Sequence, residues 1–394
     1  MRWCSTASEQ PRLEDAAREA AATLRAQLDG ARPDLVIAFP SDQYRADHRE
    51  LSAILADELG GGLLLGCSAH SVIGGGREIE HGPALSLTAA SLPDVSLTPF
   101  HVDLDALPEP DAPPEAWRRV CGVDAGVEPH FLLLADPFSF DVERLIRGLD
   151  AAFPSSKKIG GVASGGRTPG DNALLLGDRV HRSGLVGVAM AGNLELDTIV
   201  AQGCRPIGVP MFVTRCRDNV LQELDGRPAL EVLQDLYESL PPADQELCRG
   251  SLFLGIEMKQ AQGEYQQGDF LIRNLLGSDR EEGTLIVGAL LRPLQVVQFH
   301  LRDALTSAED IERRLARYEA ERGTEAVRGA VLFSCLGRGV HLYGRPNHDS
   351  DVLRRHLGDV ALGGFFCNGE IGPVQGTTFL HGYTSALGIF RSRG

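Results

Sequence analysis

The chain has 394 residues, 43% hydrophobic and 23% charged, an ordinary globular composition with enough sequence for two or three cores. Its 38 Lys and Arg against 54 Asp and Glu give a formal net charge of -16, and no basic run tracks phosphates, which argues against a nucleic-acid partner. No signal-peptide start, no stretch of roughly 20 apolar residues and no Cys-x-x-Cys pair among the eight cysteines is present, so a cytoplasmic protein without a membrane segment is expected.

Residues 9–28 carry Ala, Leu and charged residues at helical spacing up to Gly30, and residues 1–30 read as a strand and helix packing on the first domain. The run Leu35-Val36-Ile37-Ala38-Phe39 stops at Pro40, a helix fits 45–59, and Leu63-Leu64-Leu65 enters Gly66-Cys67-Ser68-Ala69-His70-Ser71. The order recurs: Phe131–Ala135, a helix over 141–153, then Ile159 leading into Gly160-Gly161-Val162-Ala163-Ser164-Gly165-Gly166. A third copy runs from Ala330–Cys335 through a helix near 350–357 into Leu362-Gly363-Gly364-Phe365-Phe366-Cys367-Asn368-Gly369. From strand to aligned glycine the separations are 31 (35 to 66), 29 (132 to 161) and 33 (331 to 364), a recurrence hard to obtain by chance.

Apolar runs at 84–90, at 173–176 with 185–190, and at 377–390 follow the three copies and read as returning hairpins. The fold class is therefore α/β, with mixed sheets built of repeated β-α-β-β units in two tandem domains. The Pro-rich stretch 108–114 is a connection, and Pro206-Ile207-Gly208-Val209-Pro210 places the domain boundary near 208, giving domains of 31–207 and 208–394. In the second, a helix at 228–239, strands at 251–256, 284–290 and 296–303, and a charged helix at 308–322 capped by Ser307 are expected.

Gly74-Gly75-Gly76 and Gly337-Arg338-Gly339 lack the Gly-Lys-Ser/Thr ending of a phosphate loop, and the eleven histidines show no metal spacing, so no metal site is expected. The sequence offers four groups of binding candidates. Cys67 and Ser68 lie in the first glycine loop and Ser164 in the second. Cys367, Asn368 and Glu370 lie in the third, where a lone acid suits an amine. His300, Arg302 and Asp303 bring imidazole, guanidinium and carboxylate within four residues, His300 and Arg302 sharing a strand face. Arg338 follows a strand end, where open sheets bind ligands.

The segments Phe333–Gly339, Gly364–Pro373 and Phe379-Leu380-His381-Gly382-Tyr383-Thr384 resemble the C-terminal half of the FIST family. Gly66–Ser71, Gly161–Gly166 and His300–Ala304 resemble its N-terminal and central motifs, and together they extend over about residues 20 to 390. The resemblance implies a bacterial sensory module, FIST-N followed by FIST-C, that binds small molecules such as amino acids. This chain carries no kinase, methyl-acceptor or F-box segment, so output through a partner protein or a homo-oligomer is expected. One branch resembling this family binds haem and senses nitric oxide through a histidine ligand, which makes His300 or His381 the iron-ligand candidate of an alternative reading. A second alternative is an enzyme with Cys67 or Cys367 as nucleophile beside His70 or His381. The leading expectation is a ligand sensor without cofactor or catalysis, its loops 66–71, 161–166 and 364–370 faced by His300, Arg302 and Arg338.

Overall fold

In the computed structural model, residues 1–259 and 264–393 are described. The chain divides into two compact units: residues 1–200, 312–380 and 384–394 form one, and residues 201–311 with 381–383 form the other.

The larger unit contains all three repeats, each heading one six-stranded sheet. The first sheet runs in the order Arg2–Ser8, Leu85–Ser91, Leu35–Pro40, Leu63–Cys67, Leu174–Leu176, Arg179–His181. The second runs Val95–Val102, Leu185–Gly192, His130–Ala135, Lys158–Val162, Glu370–Val374, Thr377–His381. The third runs Glu195–Gln202, Thr384–Arg391, Val327–Cys335, Ala361–Cys367, Ser71–Gly74, Arg77–Ile79. The pattern is the same each time, with one exchange: the hairpin after the glycine loop leaves its own sheet. The first repeat gives its hairpin to the third sheet, the second gives to the first, and the third gives to the second. Every glycine loop is thus a crossing from one sheet to another.

Alternation along the strands explains the layering. Leu35, Ile37 and Phe39 face a core shared with Leu132, Leu134, Phe333, Phe365 and Phe390 from the other two sheets. Val36 and Ala38 face outward, against the helices Leu13–Leu28 and Leu51–Leu59. The second sheet covers its outer face with Pro114–Cys121 and Val142–Ala152. The parallel pairing inside each repeat also dictates a glycine. A Cβ on Gly66 would meet the Ala38 carbonyl oxygen at 2.1 Å, one on Gly160 that of Leu133 at 1.9 Å, and one on Gly364 that of Leu332 at 1.9 Å. In the second repeat the structural counterpart is therefore Gly160, one residue before the glycine that equal spacing selects.

In the smaller unit, Cys204–Arg217, Val296–Arg302, Leu252–Glu257, Phe270–Asp279, Thr284–Val287 and Val220–Leu224 pair in succession, and Cys204–Arg217 also pairs with Val220–Leu224, closing the ring. The expected break at 206–210 lies inside that 14-residue strand, where its ladder is irregular between Ile207 and Met211. Prolines interrupt the ladder there without ending the strand, because each removes only one donor. The third repeat packs in the larger unit rather than with residues 208–311. The charged helix begins at Ala304, not 308, and Asp303 rather than Ser307 caps it by accepting from the Thr306 N–H at 2.7 Å. The strand ends at Arg302, so the carboxylate is the first side chain placed to cap.

Candidate functional site

The three glycine loops meet. The Ser164 hydroxyl of the second loop donates to the Phe366 carbonyl of the third at 2.6 Å and accepts from the His70 N–H of the first at 2.9 Å. The Ser164 N–H donates to the Ser68 carbonyl at 3.2 Å, and Phe366 pairs in register with Ser71. Asn368 donates through its backbone to Val162 at 3.0 Å and through its side chain to Ala163 at 2.9 Å, while its surface stays exposed. Ser68 donates to the Asn172 side chain at 3.2 Å and accepts from the Ala173 N–H at 3.1 Å. Asn172 in turn donates to Asp136, at the end of the second repeat's leading strand. Ser68 and Ser164 are buried and their bonds join loop to loop.

At the corresponding end of the first repeat's strand sits Asp42. Its N–H donates to Ala69 at 2.8 Å, and Gly165, at φ +89°, comes so close that an added Cβ would lie 2.6 Å from the Asp42 Cβ. Asp42 Oδ1 is buried without a hydrogen-bond partner, with His70 Nδ1 3.8 Å away. Arg45 donates to the Gly165 carbonyl at 2.9 Å and lies 3.3 Å from Asp171, with its side chain 41% exposed. Asp42, Arg45, Asp136, Asp171 and Asn172 were not among the sequence candidates. Asp42 and Asp136 follow strand ends, the same signal that singles out Arg338.

The third repeat carries a buried charge cluster. Arg338 is fully buried and bonds Asp349 twice, at 2.9 and 3.1 Å, and the Tyr343 hydroxyl at 2.5 Å. Asp349 also accepts from Ser385 at 2.7 Å and bonds the His348 ring at 2.9 Å. Burial disfavours both charges, yet their mutual attraction wins: the Asp349 carboxyl is held well below its usual range and the guanidinium above its own. Neighbouring carboxyls lack such a direct cation. Glu78 accepts from the Ser350 N–H at 2.7 Å, and burial, with Asp349 adding repulsion, pushes it up to about 7. Glu370 accepts from the Thr384 hydroxyl at 2.7 Å and N–H at 3.1 Å and from the Cys367 thiol at 3.3 Å; burial pushes it up to about 7 as well. Burial also holds the Cys67 and Cys367 thiols well above their ordinary value, where the nucleophilic thiolate is scarce.

His300, Arg302 and Asp303 belong to the smaller unit. His300 and Arg302 share the face opposite Val297, Phe299 and Leu301. His300 is buried against Phe270, its Nδ1 3.0 Å from the Gln298 carbonyl, and burial pulls its pKa down to about 4. The Arg302 guanidinium lies 5.2 Å from the Tyr383 ring centroid. Asp303 binds Arg205 at 2.8 Å besides capping its helix. His381 is buried. Among the described residues no group of His, Cys, Asp and Glu is placed to hold a metal ion, and no helix is long and apolar enough to cross a membrane.

Residues 34–227 match the FIST N domain and residues 229–373 the FIST C domain. The chain belongs to the FIST family. FIST domains are sensory, ligand-binding domains of signal transduction. An uncharacterized protein of Mycobacterium tuberculosis strain H37Rv is 37% identical over 97% of this chain and 98% of its own length. One of Mycobacterium bovis is 34% identical over 96% of each. An F-box/LRR-repeat protein of Arabidopsis thaliana is 23% identical, over 65% of this chain and 56% of its own. A crystal structure of cyanuric acid hydrolase from A. caulinodans aligns over 100% of both chains, but at a TM-score of 0.36 and 10% identity, too distant to carry an argument. The two FIST segments follow chain order, whereas the compact units follow space, so the third repeat lies beyond the N-domain match yet packs with the first two.

Proposed function

We propose that this FIST protein senses a free amino acid or a closely related ammonium-bearing metabolite at the meeting point of its three glycine loops. The observation that carries the reading is the buried Asp42 Oδ1, which has no hydrogen bond and only the His70 ring 3.8 Å away, held where the first and second loops touch. Leaving such an acceptor unpaired costs roughly 1–3 kcal/mol, and a ligand ammonium group removes that cost while adding a charge-assisted bond. Arg45, next to Asp42 in the same turn, supplies a guanidinium for the ligand carboxylate. Glu370, the amine partner that the sequence suggests, is sealed by Thr384 and Cys367 and supports the loop instead.

Ser68, Ser164 and Asn368 hold the loops together in this reading, Cys67 and Cys367 are buried beside them, and the reading calls on neither catalysis nor a cofactor. The signal leaves through a cytoplasmic partner protein or a second copy of the chain. A thermal-shift screen over amino acids, organic acids, nucleotides and haem tests it, because a ligand of the native state raises stability by about 2.7 kcal/mol at a hundredfold excess over Kd. Amino acids stabilise the wild type and not Asp42→Asn. Indifference of the wild type to all of them, or an equal response of the variant, overturns the reading.

A further inference from the structure

Two thiols stand side by side in the third repeat. The strands Val327–Cys335 and Ala361–Cys367 pair in parallel, and the last partners in their register are Cys335 and Cys367 themselves. Side chains alternate along a strand, so Cys335 falls on the face of Val331 and Phe333, and Cys367 on that of Phe365. Paired strands lie about 4.7–4.9 Å apart, inside the roughly 4.4–6.8 Å between Cα atoms that a disulfide spans. Each cysteine ends its strand, so closing a bond between them shifts two strand ends and not the sheet.

The two differ in surroundings. Cys367 is fully buried, and its thiol lies 3.4 Å from the Ser334 carbonyl and 3.3 Å from Glu370 Oε1. Gly161 of the second loop leaves room for that sulfur, since an added Cβ there would lie 3.2 Å from it. Cys335 is partly exposed, and both are thiols. Burial, then the charges of Glu370 and Cys335, push the Cys367 thiol up, so the second sulfur lies within electrostatic reach of the first.

We propose that Cys335 and Cys367 are a redox-active pair that hydrogen peroxide closes into a disulfide. The partly exposed Cys335 sulfur attacks the peroxide as thiolate, displaces hydroxide and becomes a sulfenic acid. The Cys367 thiol passes its proton to the Glu370 carboxylate 3.3 Å away, and its sulfur attacks the sulfenic sulfur. Hydroxide leaves and takes up a proton as water. The two thiols have then lost two protons and two electrons, and the peroxide has become two waters. Closure removes the Cys367 donor from Glu370 and ties the third glycine loop to the strand end that precedes Arg338. The pair is independent of whether an amino acid binds at Asp42.

Peroxide treatment of the native full-length chain at pH 8, followed by alkylation, trypsin and mass spectrometry, tests this. In the wild type, peptides 329–338 and 356–391 appear joined, lighter than their sum by two hydrogens, and separate on reduction. The thiols counted in denaturant fall by two from eight. Cys335→Ser leaves Cys367 reduced, and Cys367→Ser abolishes the linkage while dimedone traps a sulfenic acid on Cys335. Unlinked peptides in the oxidised wild type, oxidation confined to the partly exposed Cys216 and Cys248, or Cys367 oxidised equally in Cys335→Ser overturns the proposal.

Discussion

Where the leading strand of the first repeat ends, Asp42 keeps one buried oxygen without a hydrogen bond and the His70 ring 3.8 Å away; where the third repeat's ends, Arg338 is fully buried with Asp349 gripping it twice. The two places are equivalent in topology, each following a strand that pairs in parallel with the strand entering a glycine loop. The difference shows one architectural position put to two uses. Arg338 and Asp349 satisfy each other and tie the strand end to its covering helix, while Asp42 Oδ1 at the first repeat has no hydrogen bond. A sensor needs both, a rigid frame and an unsatisfied contact.

The comparison breaks most visibly at the closed end. Arg338→Ala leaves Asp349 buried without its cation, and removal of one partner of a buried pair costs about 3–5 kcal/mol. Urea denaturation is expected to show that loss, and a loss below about 1 kcal/mol would place Arg338 in a solvated setting instead.

The next effect is in pH. Glu78 and Glu370 are raised from 4.5 to about 7 in the folded chain. Acids with raised pKa values favour the fold fully below the unfolded value, and that contribution is lost as pH rises through the folded one. The contribution of these two acids therefore falls between about pH 4.5 and 7, while the buried imidazoles of His48, His130 and His300, pulled down to about 4, add a rise over an overlapping range. Glu370→Gln, which keeps an acceptor for Thr384 but cannot ionise, is expected to flatten the fall and to gain on the order of 3 kcal/mol over the wild type at pH 8. An unchanged slope in chemical denaturation across that window would contradict the assignment.

A smaller effect is expected at the junction itself. Ser164→Ala strips a partner from both the His70 N–H and the Phe366 carbonyl, a cost of roughly 1–3 kcal/mol. Hydrogen exchange at His70 is expected to quicken in the variant, and unaltered protection there would mean that the loops meet without depending on Ser164.

Much of this was legible in the sequence. The three strand–helix–strand copies appear because apolar runs and glycine punctuation are local signals, and the parallel pairing that forces Gly66, Gly160 and Gly364 leaves its trace in spacing. The exchange of hairpins between sheets was not legible, since no local pattern says which sheet edge a hairpin joins. For the same reason chain order groups the third repeat with residues 208–311, although in space it packs with the first two. Among candidate residues, Ser68, Ser164, Cys367, Asn368 and Glu370 do fall together at the loop crossings, because the glycine loops themselves converge. Arg338 and Glu370 read as available to a ligand because a sequence shows a charge without its partner; Asp349 and Thr384 lie 11 and 14 residues away. Nothing in the sequence beyond its place after a strand end marks Asp42, because its buried oxygen exists only once Gly165 closes over it.

The most direct test of the account is calorimetric titration of the wild type and Asp42→Asn with the amino acid that stabilises the wild type most. The account predicts saturable binding to the wild type, and affinity at least tenfold weaker in the variant with its thermal stability unimpaired. Equal affinity in the two proteins would contradict it.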